Sequence, residues 1–317
     1  MVHQAAVIAL SAIVLLLLVA LLLAWRRYRT LRTAIEAERR APMPHCASVV
    51  VISDPGEDLD DEMAMIMARF LEDEGLINLL AVVTNLQPAH ARARLMRGTL
   101  DQLRLQHVPV GSGTDGGAPA TTDSFSETAK SYMPPPESER AQQIEPGRAL
   151  LHRVLSEAEP RSVTLLCISS LKDAALFLRD NGELCATKLK RVVVMGGVTQ
   201  ESYEAAAEKS RGRHTNASKH GSKHNASKRS SKHSGGTGDS DSSDEDDGEL
   251  LPDTAHNNAF DAKAAAFLYA AVQHATIPLT VVSRFAAYAA PVRREIYDHL
   301  AQSGAPIGWR LRKLIDL

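Results

Sequence analysis

The chain alternates between short apolar runs and stretches in which apolar residues recur at helical spacing. The runs are rich in Val, Ile and Leu and predict strands at residues 49–53, 79–84, 108–110, 162–168, 191–195 and 279–282. The helical spacing predicts helices at residues 63–68, 89–105, 147–158, 171–179, 261–271 and 291–302. Strands that alternate with helices predict an α/β, Rossmann-like fold, in which a mostly parallel sheet is covered by helices on both faces.

Two polar stretches interrupt this alternation. Residues 113–145 are rich in Gly, Ser, Thr and Pro, which predicts a surface loop. Residues 209–233 are basic and Ser-rich, and residues 239–249 are mostly Asp, Glu and Ser. Such segments cannot bury enough apolar surface to offset the entropy of the chain. We therefore expect one domain at 46–317 that is interrupted by a disordered polar insert at 201–253.

The amino terminus carries an uncharged, apolar stretch at residues 5–24, followed by Trp25 and then by Arg26, Arg27, Arg29 and Arg32. About 20 apolar residues suffice to span a bilayer, so residues 5–25 are predicted to form a transmembrane helix, after a tail at 1–4 and before a juxtamembrane spacer at 26–45. The positive-inside rule then predicts a single-pass membrane protein whose large domain is cytoplasmic. A cleaved signal peptide is the alternative, although the basic region that should precede its apolar part is missing.

The composition narrows the possible partners. The net charge of −2 gives no reason to expect binding to nucleic acid. The three cysteines, Cys46, Cys167 and Cys185, show no C-x-x-C spacing, so a disulfide framework or a zinc site is not predicted. The oligomeric state stays open, with a homo-oligomer among the alternatives.

The strongest chemical signal follows the first predicted strand. Six carboxylates occur there in close succession: Asp54, Glu57, Asp58, Asp60, Asp61 and Glu62. Like charges at this density repel unless a cation, protons or a helix N-terminus absorbs them. Acids that merely favour the start of a helix are one explanation, and they account for residues 60–62 better than for Asp54. A site for a hard cation at the carboxyl end of a strand explains the whole group.

These landmarks resemble the inosine–uridine preferring nucleoside hydrolases, over residues 48 to 282 once the polar insert is set aside. Asp54-Pro55-Gly56 matches the Asp-Pro-Gly of the family's opening signature, and Asp60-Asp61 fits its trailing Asp pair after two extra residues. The stretches at 81–85, 97–100 and 108–111 are similar to the second strand and the segments after it, and 193–197 resembles the Met-Gly-Gly strand end. Residues 257–265 resemble the segment that contains the family's ribose-binding Asn.

The resemblance implies the nucleoside hydrolase fold and hydrolysis of an N-glycosidic bond of a nucleoside with the help of Ca²⁺. The resemblance also implies that Asp54 is a calcium ligand and the general base, and that Asp61 and the backbone carbonyl of Lys172 are further calcium ligands. Asp58 or Asp60 would accept hydrogen bonds from ribose hydroxyls. Asn85 and Asn257 would bind the sugar, with Met195 packed beneath it. Asn85 as a simple strand-ending turn residue and Met195 as ordinary core are the alternatives to those two roles.

Several family positions are missing. The family's first Asp falls on Ile52, and its Glu and Phe fall on Ala255 and His256. Its late His-Asp pair has no counterpart after Val282, where Asp298-His299 has the reverse order, so we expect the chain to stop short of the family's full domain. A catalytically inactive binding or scaffold protein is therefore the second hypothesis. A magnesium-dependent phosphatase ranks last, because Pro55-Gly56 follows Asp54 where a second Asp would be needed.

Overall fold

The computed structural model describes Trp25 and residues 46–119, 125–219 and 249–316. The predicted transmembrane segment at 5–25 lies outside these ranges except for Trp25. No helix within the described ranges is long and apolar enough to cross a membrane.

Within the described residues, the core of the fold is a seven-stranded parallel sheet. Its strands are β1 (Ala47–Ser53), β2 (Ile77–Thr84), β3 (Val110–Ser112), β4 (Glu145–Pro146), β5 (Val163–Cys167), β6 (Leu189–Gly196) and β7 (Leu279–Ser283). The strand order is β4-β3-β2-β1-β5-β6-β7. The order reverses at β1, since β2 lies on one side of it and β5 on the other. Ligands in open α/β sheets bind beside such a reversal, at the carboxyl ends of the strands.

Thirteen helices occur in the described residues. They are α1 (Asp60–Asp73), α2 (Ala89–Gln102), α3 (Ser126–Ala129), α4 (Glu139–Gln142), α5 (Gly147–Glu157), α6 (Lys172–Asp180), α7 (Gly182–Lys188), α8 (Gln200–Lys219), α9 (His256–Ala259), α10 (Ala262–His274), α11 (Arg284–Ala289), α12 (Arg294–Gln302) and α13 (Pro306–Leu314). The alternation of strands and helices predicted from the sequence is confirmed.

Two polar stretches differ from expectation. The predicted loop at 113–145 contains the short helices α3 and α4 and ends in β4. Helix α8 continues to Lys219, inside the segment predicted to be disordered, and Pro252, near the other end of that segment, forms an antiparallel bridge with Val198. Residues 204–208 of this helix are Glu, three Ala and Glu, which are strong helix formers without an apolar face. The insert between 220 and 248 lies outside the described residues.

Both faces of the sheet are covered. Val50 and Ile52 of β1 are fully buried in the main apolar core, and Val51, which points to the opposite face, is 1% exposed. Burial of both sets of side chains is typical of a strand within a doubly covered parallel sheet. A second apolar cluster joins Met63, Phe125 and Leu311, so the last helix packs beside the segment that follows β1.

The chain divides into two compact units. Among described residues, the smaller holds Trp25, Cys46, Ala47 and Phe70–Asn78, and the backbone amide of Ala47 donates to the Leu76 carbonyl within it. The larger comprises Ser48–Arg69 and Leu79–Leu317. All the residues of the candidate site belong to the larger unit.

Candidate active site

An open cleft lies at the carboxyl ends of the central strands. It encloses about 610 Å³ of empty space, part of which is open solvent. One group of lining residues is acidic and comes from the segment after β1: Asp54, Glu57, Asp58, Asp60 and Asp61. Others come from the ends of neighbouring strands and from α9, and they include Leu86, Ile168, Met195, His256, Asn257 and Phe260. The cleft therefore combines a negatively charged part with apolar and aromatic side chains.

Arg92 of α2 holds the backbone of residues 54–62, which we call the acidic loop. Its Nη1 donates to the carbonyls of Asp54 at 2.6 Å and Pro55 at 3.1 Å. The guanidinium also lies 5.3 Å from the centre of the Phe125 ring. Only glycine fits at position 56, because a Cβ there would lie 2.6 Å from the Phe125 ring and 2.9 Å from Arg92 Nη1. The Pro-Gly turn thus positions the carboxylates by close packing as well as by hydrogen bonds.

Asp61 is the most deeply buried carboxylate of the cleft. Its Oδ1 accepts hydrogen bonds from Ser53 Oγ at 2.6 Å and from the Asp54 amide at 3.1 Å. Burial raises its pKa well above the usual range, and the charges of Asp54 and Asp60 raise it further. The two hydrogen bonds act in the opposite direction but do not offset the loss of hydration.

In the metal-free protein, the pKa of Asp54 is raised to near neutral pH. Burial, and then the charges of Asp60 and Asp58, raise its pKa from 3.8 to about 7, although the charge of Arg92 and the nearby Ser169 hydroxyl favour its ionised form. The pKa of Asp60 is also raised, by loss of hydration and by the charge of Asp58. A carboxylate with a pKa near 7 can both take and release a proton at physiological pH, which suits a general base.

The charge of the loop suits a cation, since the carboxylates raise one another's pKa. The geometry is less complete. Within the described ranges, no group of three His, Cys, Asp or Glu side chains is arranged to hold a metal ion. Asp54 and Asp61 thus offer a partial ligand set.

Asn85 occupies the end of β2, as predicted, but its side chain is engaged within the protein. It is fully buried, and its Nδ2 donates to the Ser170 carbonyl at 2.9 Å and to Asp173 Oδ2 at 3.0 Å. Its Oδ1 accepts from Ser169 Oγ. Asn85 is not among the residues that line the cleft. A contact with sugar stays a prediction for this residue, whereas its place in the buried network is observed.

Lys172 is the first residue of α6. A carbonyl at this position normally accepts an intrahelical hydrogen bond, which directs it along the helix axis. The side chain points to the neighbouring loop, where Nζ lies 2.6 Å from Asp115 Oδ1. Lys172 does not line the cleft, and its role as a carbonyl ligand stays a prediction.

Met195 and Asn257 lie together in the cleft. Asn257 Nδ2 donates to the Met195 carbonyl at 2.9 Å, which anchors α9 to the end of β6. Because one amide hydrogen is used in this way, the Asn257 Oδ1 is the part of the amide suited to accept a bond from a ligand. His256 precedes it and is exposed, and its ring meets the Phe260 ring edge-on at 4.5 Å between centroids.

Several residues of the site were not found from the sequence. Arg92 gave a weak signal, since it lies on the buried face of α2. Ser169 gave none: it is fully buried and contacts both Asp54 and Asn85. Arg310 lies far away in the chain and is fully buried against Glu62. These side chains hold the loop and its neighbours in place, a role that leaves no local sequence pattern.

The comparisons with known proteins identify the family and the fold. The profile of the inosine–uridine preferring nucleoside hydrolases matches residues 49–316. No curated protein matches the sequence. Among solved structures, the type III effector XopQ in complex with adenosine diphosphate ribose is similar with 26% identity and a TM-score of 0.64, over 89% of this chain and 69% of that one. The effector XOO4466 has 25% identity, a TM-score of 0.63 and the same coverage.

A purine-preferring ribonucleoside hydrolase from Gardnerella vaginalis shares the fold, with a TM-score of 0.50 and 14% identity over 84% of this chain and 71% of that one. The profile match covers most of the chain and includes the acidic loop, β6 and α9. The chain therefore belongs to the inosine–uridine preferring nucleoside hydrolase family.

Proposed function

We propose that this protein hydrolyses the N-glycosidic bond of a ribonucleoside to give free base and ribose. The family supports hydrolysis of a glycosidic bond in general terms. The observation that carries the specific proposal is the cleft itself, in which Asp54 and Asp61 share one space with Met195 and Asn257.

In the proposed reaction, Asp54 takes a proton from a water molecule while the water oxygen attacks the anomeric carbon of the ribose. The bond from that carbon to the base nitrogen breaks, and the base leaves with the bonding electron pair and takes up a proton from solvent, while Asp54 returns its proton to solvent. The sugar gains positive charge as the bond breaks, so the neighbouring carboxylates lower the barrier electrostatically. We assign Asp58 and Asp60 to the ribose hydroxyls, together with the Asn257 Oδ1.

We further propose that a bound Ca²⁺ assists this site, with Asp54 and Asp61 as the residues of this chain best placed to hold it. Such an ion would supply Lewis-acid chemistry and order the attacking water. The ion would also offset the mutual repulsion of the carboxylates in the acidic loop.

The direct test is incubation of the purified full chain with inosine, guanosine, uridine and cytidine, with Ca²⁺ and with chelator. Release of free base and reducing sugar supports the proposal. Folded protein that releases neither above background with any of the four nucleosides contradicts it.

A second function is favoured by the similarity to XopQ, whose structure contains adenosine diphosphate ribose. In this alternative the protein binds a ribose-containing ligand without turnover. The partial ligand set and the loss of an Asp at Ile52 and of a Glu at Ala255 favour it. Calorimetric titration with adenosine diphosphate ribose separates the two: saturable binding with no product formed from nucleosides supports binding alone.

We also propose that residues 5–25 anchor the protein as a single transmembrane helix, with the domain from residue 46 onward on the cytoplasmic side. The support is the uncharged stretch followed by four arginines. Alkaline carbonate extraction and protease protection test this arrangement. Release of the protein into the carbonate supernatant would contradict it.

A further inference from the structure

Two large apolar side chains are exposed where helix α1 ends. Phe70 is 61% exposed, and Leu76, just after the helix, is 54% exposed. The amide of Leu76 donates to the Leu71 carbonyl at 2.9 Å and that of Gly75 to the Glu72 carbonyl at 3.0 Å, the pairing of a Schellman motif. This motif folds the chain back against the last helical turn, so Phe70 and Leu76 lie at the same end of α1. Neither belongs to the two apolar clusters described above.

The same helix end carries negative charge. Glu72, Asp73 and Glu74 follow one another, and the last turn of α1 contains no basic residue. The carboxyl end of a helix is the negative end of its dipole, so cations supplied from elsewhere stabilise acidic residues there. An anionic lipid surface attracts basic segments, and it would repel this one. A suitable partner therefore combines apolar side chains with arginine or lysine.

The chain contains such a segment shortly before β1. Within residues 28–40, Tyr28, Leu31 and Ile35 recur at the spacing of one helix face. The charged residues of the segment are mostly basic, with Arg29, Arg32, Arg39 and Arg40 against Glu36 and Glu38. The sequence thus predicts a basic, amphipathic helix whose apolar and charged parts complement the end of α1.

The segment begins and ends in the compact unit that carries this surface. The backbone amide of Ala47 donates to the Leu76 carbonyl at 3.0 Å, so the chain enters β1 beside Leu76. Trp25, before the segment, belongs to the same unit as Phe70–Asn78. Residues 41–46 can span at most about 20 Å, which keeps the segment within reach of the helix end. So short a connection gives an effective concentration in the millimolar range, at which weak contacts suffice for docking.

We propose that residues 28–40 pack as an amphipathic helix on Phe70 and Leu76, with their arginines facing residues 72–74. The segment covers the exposed apolar surface, and its guanidinium groups offset the negative charge at the end of α1. The spacer before β1 is then a fixed stalk, which holds the domain in one orientation relative to the amino-terminal apolar stretch. This inference is independent of the proposed hydrolysis.

Oxidative cross-linking of the full chain in detergent tests this contact in a Cys46→Ser background, since the other two cysteines are buried. The pair Ile35→Cys and Leu76→Cys places one thiol on the predicted apolar face and the other on the surface. The matched control is Thr33→Cys with Leu76→Cys, because Thr33 lies on the opposite face of the predicted helix. A disulfide needs Cα atoms within about 7 Å, so we expect the first pair to cross-link at least about fivefold faster than the control. Equal rates for both pairs would show a mobile tether and overturn the proposal.

Two measurements identify a different occupant. A disulfide-linked dimer of the Leu76→Cys single variant would place a second copy of the chain on this surface. A fluorophore attached to Phe70→Cys and quenched by doxyl-labelled phosphatidylcholine vesicles would place the bilayer there. Either result overturns the proposal, whereas a monomer that is not quenched agrees with docking of the segment.

Limited proteolysis tests the same contact without cysteine substitutions. Trypsin should cleave after Arg29 and Arg32 at least about tenfold faster in the double variant Phe70→Ser, Leu76→Ser than in the wild type, because the segment is then undocked more of the time. The control is Phe285→Ser, which removes a 77% exposed ring of α11 and should leave the rate unchanged. Thermal melts establish that the exposed substitutions keep the fold. The same cleavage rate in all three proteins would contradict the proposal.

Discussion

The guanidinium of Arg310 donates from Nη2 to the backbone carbonyl of Gly56 at 2.5 Å, so the last described helix is fastened directly to the acidic loop. Its Nη1 pairs with Glu62, and its Nε donates to Thr128 Oγ1 at 3.0 Å. The side chains of Arg310 and Glu62 are fully buried. Burial lowers the pKa of Arg310 to about 10, which leaves the guanidinium charged at neutral pH.

Replacement of Arg310 by Met should destabilise the fold by about 3–5 kcal/mol, because it leaves the Glu62 carboxylate buried without its partner. The control is Arg312→Met in the same helix. Arg312 is partly exposed and pairs with Asp298 and Asp316 near the surface, so its loss should cost about 1 kcal/mol or less. Urea denaturation followed by circular dichroism measures both. Equal costs would show that the buried pair does not hold the structure.

The pH dependence of hydrolysis should report Asp54. Because its pKa is raised to about 7 in the metal-free protein, the fall of kcat/KM at low pH should be centred near pH 7 in chelator and should move to lower pH when Ca²⁺ binds and favours the carboxylate. Asp54→Asn should lower kcat by about 100-fold or more. Asp58→Asn, at an exposed position of the same loop, should raise KM and keep the acidic limb. If the fall of kcat/KM at low pH persists unchanged in the residual activity of Asp54→Asn, that fall belongs to another group.

Asp54 should also make the stability of the metal-free protein depend on pH. Its pKa is raised in the folded state, so the folded protein binds the proton more tightly than the unfolded chain does. Its contribution is therefore fully present below pH 3.8 and is lost as the pH rises through about 7. A tenfold difference in proton affinity between the two states corresponds to about 1.4 kcal/mol. In chelator, the free energy of unfolding between pH 5 and 8 should depend less on pH in Asp54→Asn than in the wild type. An identical dependence in both proteins would contradict this.

Calcium should stabilise the wild type more than the variant that lacks Asp54. An ion that binds the native state alone adds about 2.7 kcal/mol at a hundredfold excess over its dissociation constant. Asp54→Asn should lose this increment and be slightly more stable than the wild type in chelator, since one repelling charge is gone. Thermal melts with Ca²⁺ and with chelator provide the measurement. The same calcium response in both proteins would leave the carboxylates with a structural role only.

The two asparagines predicted to bind sugar should behave differently. Asn85→Ala breaks a buried network and should cost about 2–3 kcal/mol in stability, because Asp173, Ser169 and the Ser170 carbonyl each lose a buried hydrogen bond. Asn257→Ala removes one bond to the Met195 carbonyl and should cost about 1 kcal/mol, with a roughly tenfold loss in kcat/KM from the missing ligand bond. Denaturation and kinetics on both variants separate the roles. If Asn85→Ala instead lost kcat/KM with little loss of stability, Asn85 would be the residue that contacts the ligand.

The fold was predictable from the sequence where one local signal sufficed. The β-branched run of β1 and the Pro-Gly break after it identify a buried strand, its end and the acidic loop. Helix α13 was not predicted, because its nine residues carry three basic side chains and the burial of Arg310 against Glu62 leaves no local pattern. The candidate site divides in the same way. Asp54 and Asp61 are found from charge density, whereas the Ser169 hydroxyl acts by contact across strands.

The first three backbone carbonyls of the acidic loop all accept hydrogen bonds from buried arginines. Those of Asp54 and Pro55 accept from Arg92, and that of Gly56 accepts from Arg310. A calcium ion usually takes some of its ligands from such backbone oxygens, which form a cage that selects ions by size. With these three oxygens engaged, an ion at this loop would be held mainly by carboxylates and water. The loop would then select ions by their charge, so a trivalent lanthanide would outcompete calcium, and a divalent ion of different radius would be tolerated in its place.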